Sequence, residues 1–337
     1  MPRRQRIDLL DIANRANLLS ATFAASKGKR NRPAVRVFLS HLDEELNQLA
    51  TELLDETYRP SPMREFVVRD PKLRIIHAPT FRDRVVHHAI IKQIGSTLEA
   101  SLVDDTFACR IGKGPIAAVQ RAQVFSRRFE WYLKIDISKY FHSIHHWTLM
   151  TKLSRRFKGE PFERLLGRII GSFQITQGKG LPIGALTSQH FANVYLDEVD
   201  RFLSSSADVG AFVRYMDDIL IWCHTRELAK RIYCVVAELV LGRLHIELNR
   251  KWQINRSCVG VPFCGFRVFP HTIRLSKRRQ RQFRFICKKW ERKFRRNEIS
   301  SCQLQSGYAS AYALTQIGTN ACGWRRRQMN QHPNPEV

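Results

Sequence analysis

Between Ala34 and Tyr58 the apolar residues recur at helical spacing: Val37, Leu39, Leu42, Leu46, Leu49, Leu53 and Leu54 fall near one face, with acids opposite. The pattern stops at Pro60-Ser61-Pro62, where two prolines in three residues break a helix. Arg64 to Ile76 alternates instead, predicting strands on either side of Asp70-Pro71, and Asp83 to Leu98 returns to helical periodicity. Glu130 to Ile137 is short, apolar and aromatic, the composition of a buried strand. A helix is predicted from about Pro182 to Phe202. Two strand-like runs, Gly210 to Arg214 and Ile219 to Cys223, then flank Tyr215-Met216-Asp217-Asp218 and predict a tight hairpin. Arg226 to Leu241 is helical again. Lys277 to Arg296 sets Phe283, Ile286, Trp290 and Phe294 on one helical face, with Arg, Lys or Gln at almost every other position. There are no internal repeats.

Charge changes this picture more than composition does. The 337 residues carry 56 Lys and Arg against 30 Asp and Glu, a formal net charge of +26, and are 44% hydrophobic. Such a chain can bury a substantial core in two or three subdomains. So large a cationic excess points to a polyanionic partner, because cations that displace counterions from phosphates supply most nucleic-acid affinity. No apolar run is long enough to span a bilayer, and the N-terminal Ile7-Asp8-Leu9-Leu10-Asp11 is not a secretory core, so no membrane partner is expected. The 8 cysteines show no Cys-x-x-Cys pair, which argues against zinc and against a disulfide framework and leaves reduced thiols as the expectation. Among the 12 histidines, the pairs His87-His88 and His145-His146 invite a metal reading. Adjacent side chains diverge on any regular element, so packing, surface or RNA-contacting roles are expected rather than metal ligation.

The candidate chemistry lies in the 210 to 223 hairpin. Its turn would push Asp217 and Asp218 out at one edge of a sheet, where acidic oxygens suit Mg²⁺. A solvated polar turn is the competing reading. Nucleotidyl transfer needs a further carboxylate from a second strand, so that two metals about 4 Å apart can be held against a triphosphate and a primer hydroxyl. Asp136, at the end of the buried strand in Lys134-Ile135-Asp136-Ile137-Ser138-Lys139-Tyr140-Phe141, supplies it, and the Ile137 carbonyl is a further candidate ligand. Capping of the following turn is the structural alternative for Asp136.

Taken together these residues resemble a reverse transcriptase from about Arg64 to Trp324. The resemblance implies an α+β, right-hand polymerase fold: fingers, a palm of antiparallel sheet plus helices, and a basic helical thumb. It implies that Asp136, Asp217 and Asp218 are catalytic and bind two Mg²⁺ ions, with Mn²⁺ as a substitute. Phe141 falls where the family carries the bulky residue that excludes a ribose 2′-hydroxyl. Arg74, then Arg84, match finger arginines suited to a triphosphate, since a guanidinium fork fits phosphate oxygens. Pairing with Asp70 or Asp83 is the competing role. Phe263-Cys264-Gly265-Phe266 resembles the family hairpin that positions the primer, with Cys264 in place of Leu, so Phe263 and Gly265 are primer-binding candidates. Lys251, after an expected strand from His245 to Asn249, lies near the family lysine that protonates pyrophosphate; a plain surface lysine is the alternative. Leu102 to Gly114 resembles the template-contacting finger segment. On the dense charge of the basic helix, Lys277, Arg278, Arg281 and Lys288 are candidate contacts to an RNA or DNA backbone, with a solvated cationic face as the alternative.

One segment narrows the resemblance further. In Gly180-Leu181-Pro182-Ile183-Gly184-Ala185-Leu186-Thr187-Ser188-Gln189, most bacterial reverse transcriptases, including those of group II introns and retrons, carry Gln-Gly and Ser-Pro where this chain has Ile183-Gly184 and Ser188-Gln189. Those departures resemble reverse transcriptases of diversity-generating retroelements, as do Thr106 to Arg110 and Arg214. Ile183, Gly184 and Gln189 thus become nucleotide-site candidates. An isoleucine in place of glutamine removes an amide able to orient the incoming nucleotide, so lower fidelity is expected; an ordinary core role for Ile183 is the alternative. The resemblance adds errors concentrated opposite template adenines.

The implied partners are a structured template RNA, the cDNA/RNA duplex, dNTPs and a small basic accessory protein, itself oligomeric, with a cytoplasmic location. The expected organisation is N-terminal extension and fingers at 1–125, first palm segment at 126–149, an insertion at 150–185, palm with both hairpins at 186–270, thumb at 271–325 and a disordered tail at 326–337. The residues after the basic helix are too few for a ribonuclease H or endonuclease domain. A retron or antiphage reverse transcriptase without programmed mutagenesis is the alternative enzyme; an inactive RNA-binding subunit is the non-enzymatic one.

Overall fold

The computed structural model of the chain describes residues 4–69 and 73–313. Asp70-Pro71, the end of the 271–325 segment and the 326–337 segment lie outside the described residues. In chain order the elements are β1 (Gln5–Arg6), α1 (Leu9–Ala13), α2 (Arg15–Ser26), α3 (Pro33–Ser40), α4 (Leu42–Leu54), β2 (Arg64–Arg69), β3 (Leu73–Ala78), α5 (Phe81–Ser101), α6 (Pro115–Arg128), β4 (Trp131–Asp136), α7 (Tyr140–Ser143), α8 (His146–Ser154), β5 (Phe157–Lys158), α9 (Glu160–Gly171), α10 (Leu186–Tyr195), α11 (Asp197–Ser205), β6 (Ala211–Tyr215), β7 (Asp218–Cys223), α12 (Arg226–Leu244), β8 (Gln253–Arg256), β9 (Val261–Phe263), β10 (Phe266–Val268), β11 (Ile273–Leu275), α13 (Lys277–Arg295) and α14 (Ser301–Ala313). They form two compact units: Met1–Asp104, Ile137–Phe202 and Val236–Asn249 in one, Asp105–Asp136, Leu203–Val235 and Arg250–Val337 in the other.

The first unit is mostly helical, and α5 is its spine. Thr80 caps α5 by accepting from the Asp83 N–H, and Val85, Val86, Ala89, Ile90, Ile94 and Leu98 are buried along it, against α2 and α10 among others. The single helix expected over 34–58 is two, broken at His41. Ser40 Oγ donates to the Val37 carbonyl at 2.8 Å and His41 Nδ1 lies 3.2 Å from that same oxygen, so side chains take the acceptor that a continuous helix would use. The helix expected from Pro182 begins at Leu186 and is interrupted at Leu196. Gly184 has φ 129°, and a Cβ there would lie 3.0 Å from Ile76 Cγ2 and 3.2 Å from the His77 carbonyl, so the backbone passes close to β3 and cannot be helical. The strand expected from His245 to Asn249 reduces to one bridge, Leu248 to Ile137, because His245 takes φ 55°.

The second unit holds a four-stranded antiparallel sheet in the order β6-β7-β4-β8 and an antiparallel three-stranded sheet, β11-β10-β9. Its core gathers α6 residues Ala118, Val119, Ala122 and Phe125 with Tyr132, Leu220, Trp222, Phe263 and Phe266. The aromatic stripe of α13 meets that core through Phe283, with Ile286 half-buried, whereas Phe294 is 37% exposed. No helix among the described residues is long and apolar enough to cross a membrane. Each of the seven described cysteines is a free thiol.

Candidate active site

β6 and β7 pair from Ala211–Trp222 down to Tyr215–Asp218, which leaves Met216 and Asp217 as a two-residue hairpin turn. Met216 adopts φ 56°, the left-handed geometry that such turns demand. A fully buried arginine braces the turn from below: Arg214 Nη1 donates to the Met216 carbonyl at 3.0 Å, and the Arg214 backbone pairs with the Asp105 to Phe107 segment. The turn therefore rests on a fixed cation and a second backbone strand. Its side chains are not carried on a free loop.

Register then brings the second carboxylate in. β4 pairs antiparallel with β7 so that Asp136 lies directly opposite Asp218. Cross-strand neighbours stand about 5 Å apart at Cβ, and two like charges there repel. A lysine relieves that repulsion. Lys134 Nζ lies 2.8 Å from Asp218 Oδ2 and donates also to the Pro262 carbonyl at 2.8 Å, below the Phe263 ring. The Asp218 side chain is 27% exposed overall, yet its Oδ1 is closed off from solvent with no hydrogen-bond partner. Burial pushes the Asp218 carboxyl above the usual carboxylate range; Lys134 pulls it down, and Asp136 adds a smaller push upward.

Among the described residues no three His, Cys, Asp or Glu side chains converge into a ready-made metal cage. Mg²⁺ is commonly bound through one or two carboxylates and completed by substrate phosphates and water. The donors at this edge are hard oxygens, and the orphaned Oδ1 is a buried acceptor that a cation would satisfy. Asp136 and Asp218 thus fit a divalent ion, and Asp217 is the turn residue next to Asp218. Ile137 belongs to the other unit, where it bridges Leu248.

The hairpin of Phe263-Cys264-Gly265-Phe266 is present as β9 and β10, with Phe263 opposite Phe266 and positive φ at both turn residues, 44° and 79°. A Cβ on Gly265 would overlap the Arg279 guanidinium, which sits 4.6 Å over the Phe266 ring. Phe263 itself is buried, so the surface offered here is the turn. The Cys264 thiol is pushed up to about 12, first by burial and then by the Asp218 charge, and stays protonated. Lys277, Arg278, Arg281 and Lys288 all lie exposed on α13, and Lys251 is exposed between Asn249 and β8.

The first unit collects a second group. Residues 180–184 run between α7 and β3: the Leu181 N–H donates to the Phe141 carbonyl at 2.7 Å and the His77 N–H donates to the Ile183 carbonyl at 3.0 Å. Phe141, Ile183 and Gly184 are thereby tied to the strand that carries Arg74, which is exposed. Gln189 lies half-exposed on α10. Arg84 stands apart from them. Its guanidinium donates to the Ala25 carbonyl and is lowered by burial and by neighbouring Arg32. Neither arginine is claimed by Asp83, which accepts from Tyr58 Oη at 2.7 Å, Thr80 Oγ1 at 2.6 Å and the Ser61 N–H at 3.1 Å. Sequence reasoning gave Lys134 no role. The available signal was its place two residues before Asp136, hence on the same face of the strand.

The reverse transcriptase (RNA-dependent DNA polymerase) family model matches residues 68–268, well over half of the chain. Protein YkfC of Escherichia coli (strain K12) is 28% identical over 177 residues, 49% of this chain and 46% of the other. The group II intron-encoded protein LtrA of Lactococcus lactis subsp. cremoris is 24% identical over 170 residues, 48% of this chain and 28% of the other. The chain thus spans less than half the length of these relatives. Among solved structures, apo telomerase from Candida tropicalis superposes with a TM-score of 0.54 at 10% identity, covering 86% of this chain and 64% of that one, a likeness of fold alone. The mixed helix and sheet architecture is that of a right-hand polymerase, and the chain belongs to the reverse transcriptase (RNA-dependent DNA polymerase) family.

Proposed function

We propose that this chain is an RNA-directed DNA polymerase whose reaction centre is Asp136, Asp217 and Asp218. The observation that carries the reading is the opposition of Asp136 and Asp218 across β4 and β7, with one Asp218 oxygen buried and unpartnered. These carboxylates would hold a pair of divalent ions, Mg²⁺ or Mn²⁺, which supply charge neutralisation at the triphosphate and a more acidic primer hydroxyl. The chain's own part is placement: the braced turn fixes Asp217 and Asp218. For Phe141 and Arg74, which lie in the first unit, sugar exclusion and phosphate contact are proposed on the family resemblance. In this reading residues 1–125 and 150–185 serve as fingers, 126–149 and 186–270 as palm, and 271–325 as thumb. The exposed cations of α13 would meet the backbone of the template RNA or of the cDNA/RNA duplex.

The finer part of the proposal is that synthesis is inaccurate opposite template adenines and serves to diversify a target gene, with a basic accessory protein as partner. Ile183 supports it, since this residue contributes apolar side-chain surface and its carbonyl is already taken by the His77 N–H. Sequencing cDNA copied from an RNA of known adenine positions is the test. Errors concentrated at adenines are expected, with Ile183→Gln lowering their frequency roughly threefold to tenfold, as a restored orienting hydrogen bond would. Uniformly accurate copies from the unaltered protein would leave the polymerase and remove the diversification.

A further inference from the structure

Tyr132, Lys134 and Asp136 alternate along β4 and so share one face of the sheet. Across the ladder that face continues as Asp218, Leu220 and Trp222, of which Leu220 and Trp222 are fully buried. A lysine among such neighbours is unexpected. Its stem can lie along apolar surface, but its ammonium must find acceptors or leave the site unstable. It finds two, each at 2.8 Å: Asp218 Oδ2 and the Pro262 carbonyl of β9. One cation therefore joins the hairpin that carries Asp217 and Asp218 to the hairpin of Phe263 and Gly265. It also decides which oxygen of Asp218 is engaged, since Oδ2 is bonded and Oδ1 is buried without a partner.

We propose that Lys134 is a positioning residue of this site: its ammonium ties Asp218 Oδ2 to the β9 backbone, leaves Oδ1 as the oxygen that meets a divalent ion, and screens Asp218 from Asp136 until that ion binds. The inference rests on the reading of Asp136 and Asp218 as ion ligands. It has a consequence that a plain structural ion pair lacks. A fixed positive charge beside the carboxylate opposes the divalent ion, so removing the charge should destabilise the ion-free protein and strengthen its response to the ion.

Melting temperature followed through a Mg²⁺ titration reads both effects without requiring turnover. Lys134→Met is expected to melt below the unaltered protein in EDTA and to reach half of its Mg²⁺-dependent stabilisation at a roughly tenfold lower concentration, the change produced by about 1.4 kcal/mol. Lys134→Arg, which keeps the charge, should titrate like the unaltered protein. Should the methionine variant fail to fold, Lys134→Gln removes the charge while keeping a donor for the Pro262 carbonyl, and the same shift is expected. Equal Mg²⁺ midpoints in the unaltered, charge-removed and charge-kept proteins would overturn the role given to Lys134. The absence of Mg²⁺ stabilisation in every one of them would instead overturn the ion-binding reading of the carboxylates, and this inference with it.

Discussion

His87 shows how strongly a single buried side chain can tie this protein to pH. It is buried on α5 with Nδ1 3.3 Å from Thr187 Oγ1 of α10, while Nε2 has no partner, and burial lowers its imidazole to about 4. The folded value lies below the unfolded one, so the unfolded chain binds the extra proton first as pH falls. Stability is full above about 6.5 and declines toward 4, by about 3 kcal/mol at most if the whole shift is realised. Urea midpoints at pH 7 and pH 5 check this: His87→Gln should lose less stability between the two than the unaltered protein does, and equal losses would remove His87 as the cause. The adjacent pair His87-His88 reads from sequence as packing, and His87 is a packing residue. What the sequence could not reveal at this scale were acceptors supplied by distant backbone. Asp83 is claimed by Tyr58 and Ser61, and Lys134 by Pro262, contacts that only the folded chain creates.

At the scale of elements, legibility followed length. The long periodic segments became α5, α12 and α13, and the hairpin around Met216 and Asp217 lies where the turn signal places it. The three-residue strands β9, β10 and β11 have too few positions to show a period, and their sheet is built through pairing instead. Helix breaks at His41 and Leu196 also escaped, because they follow from local hydrogen bonding and from neighbouring segments. Helices α13 and α14 show what a close approach requires. Gly307 of α14 packs on the face of Trp290, where a Cβ would overlap the indole, and Tyr308 Oη reaches Glu291 at 3.1 Å. Gly307→Ala should therefore push the helices apart and cost about 1–3 kcal/mol despite the better helix propensity of alanine. A lower urea midpoint is the expected result. An unchanged or raised midpoint would mean that the two helices do not pack as closely as Gly307 allows.

Across the whole molecule, the net charge of +26 and the three aspartates make complementary demands. The cations suit a phosphate backbone, whereas Asp136 and Asp218 face each other at the ends of the two inner strands, where in the proposed reading they need a cation of their own. The positions of Asp136 and Asp218 at strand ends and of Asp217 in the turn were legible from simple patterns, whereas the register of Asp136 against Asp218 required the sheet order β7-β4. The most direct measurement is primer extension by the full chain on an RNA template with dNTPs and Mg²⁺, with RNA binding measured alongside. The unaltered protein is predicted to extend the primer only when the divalent ion is present, and the double substitution Asp217→Ala with Asp218→Ala to abolish extension while RNA binding persists. Extension that survives this double substitution would contradict the account.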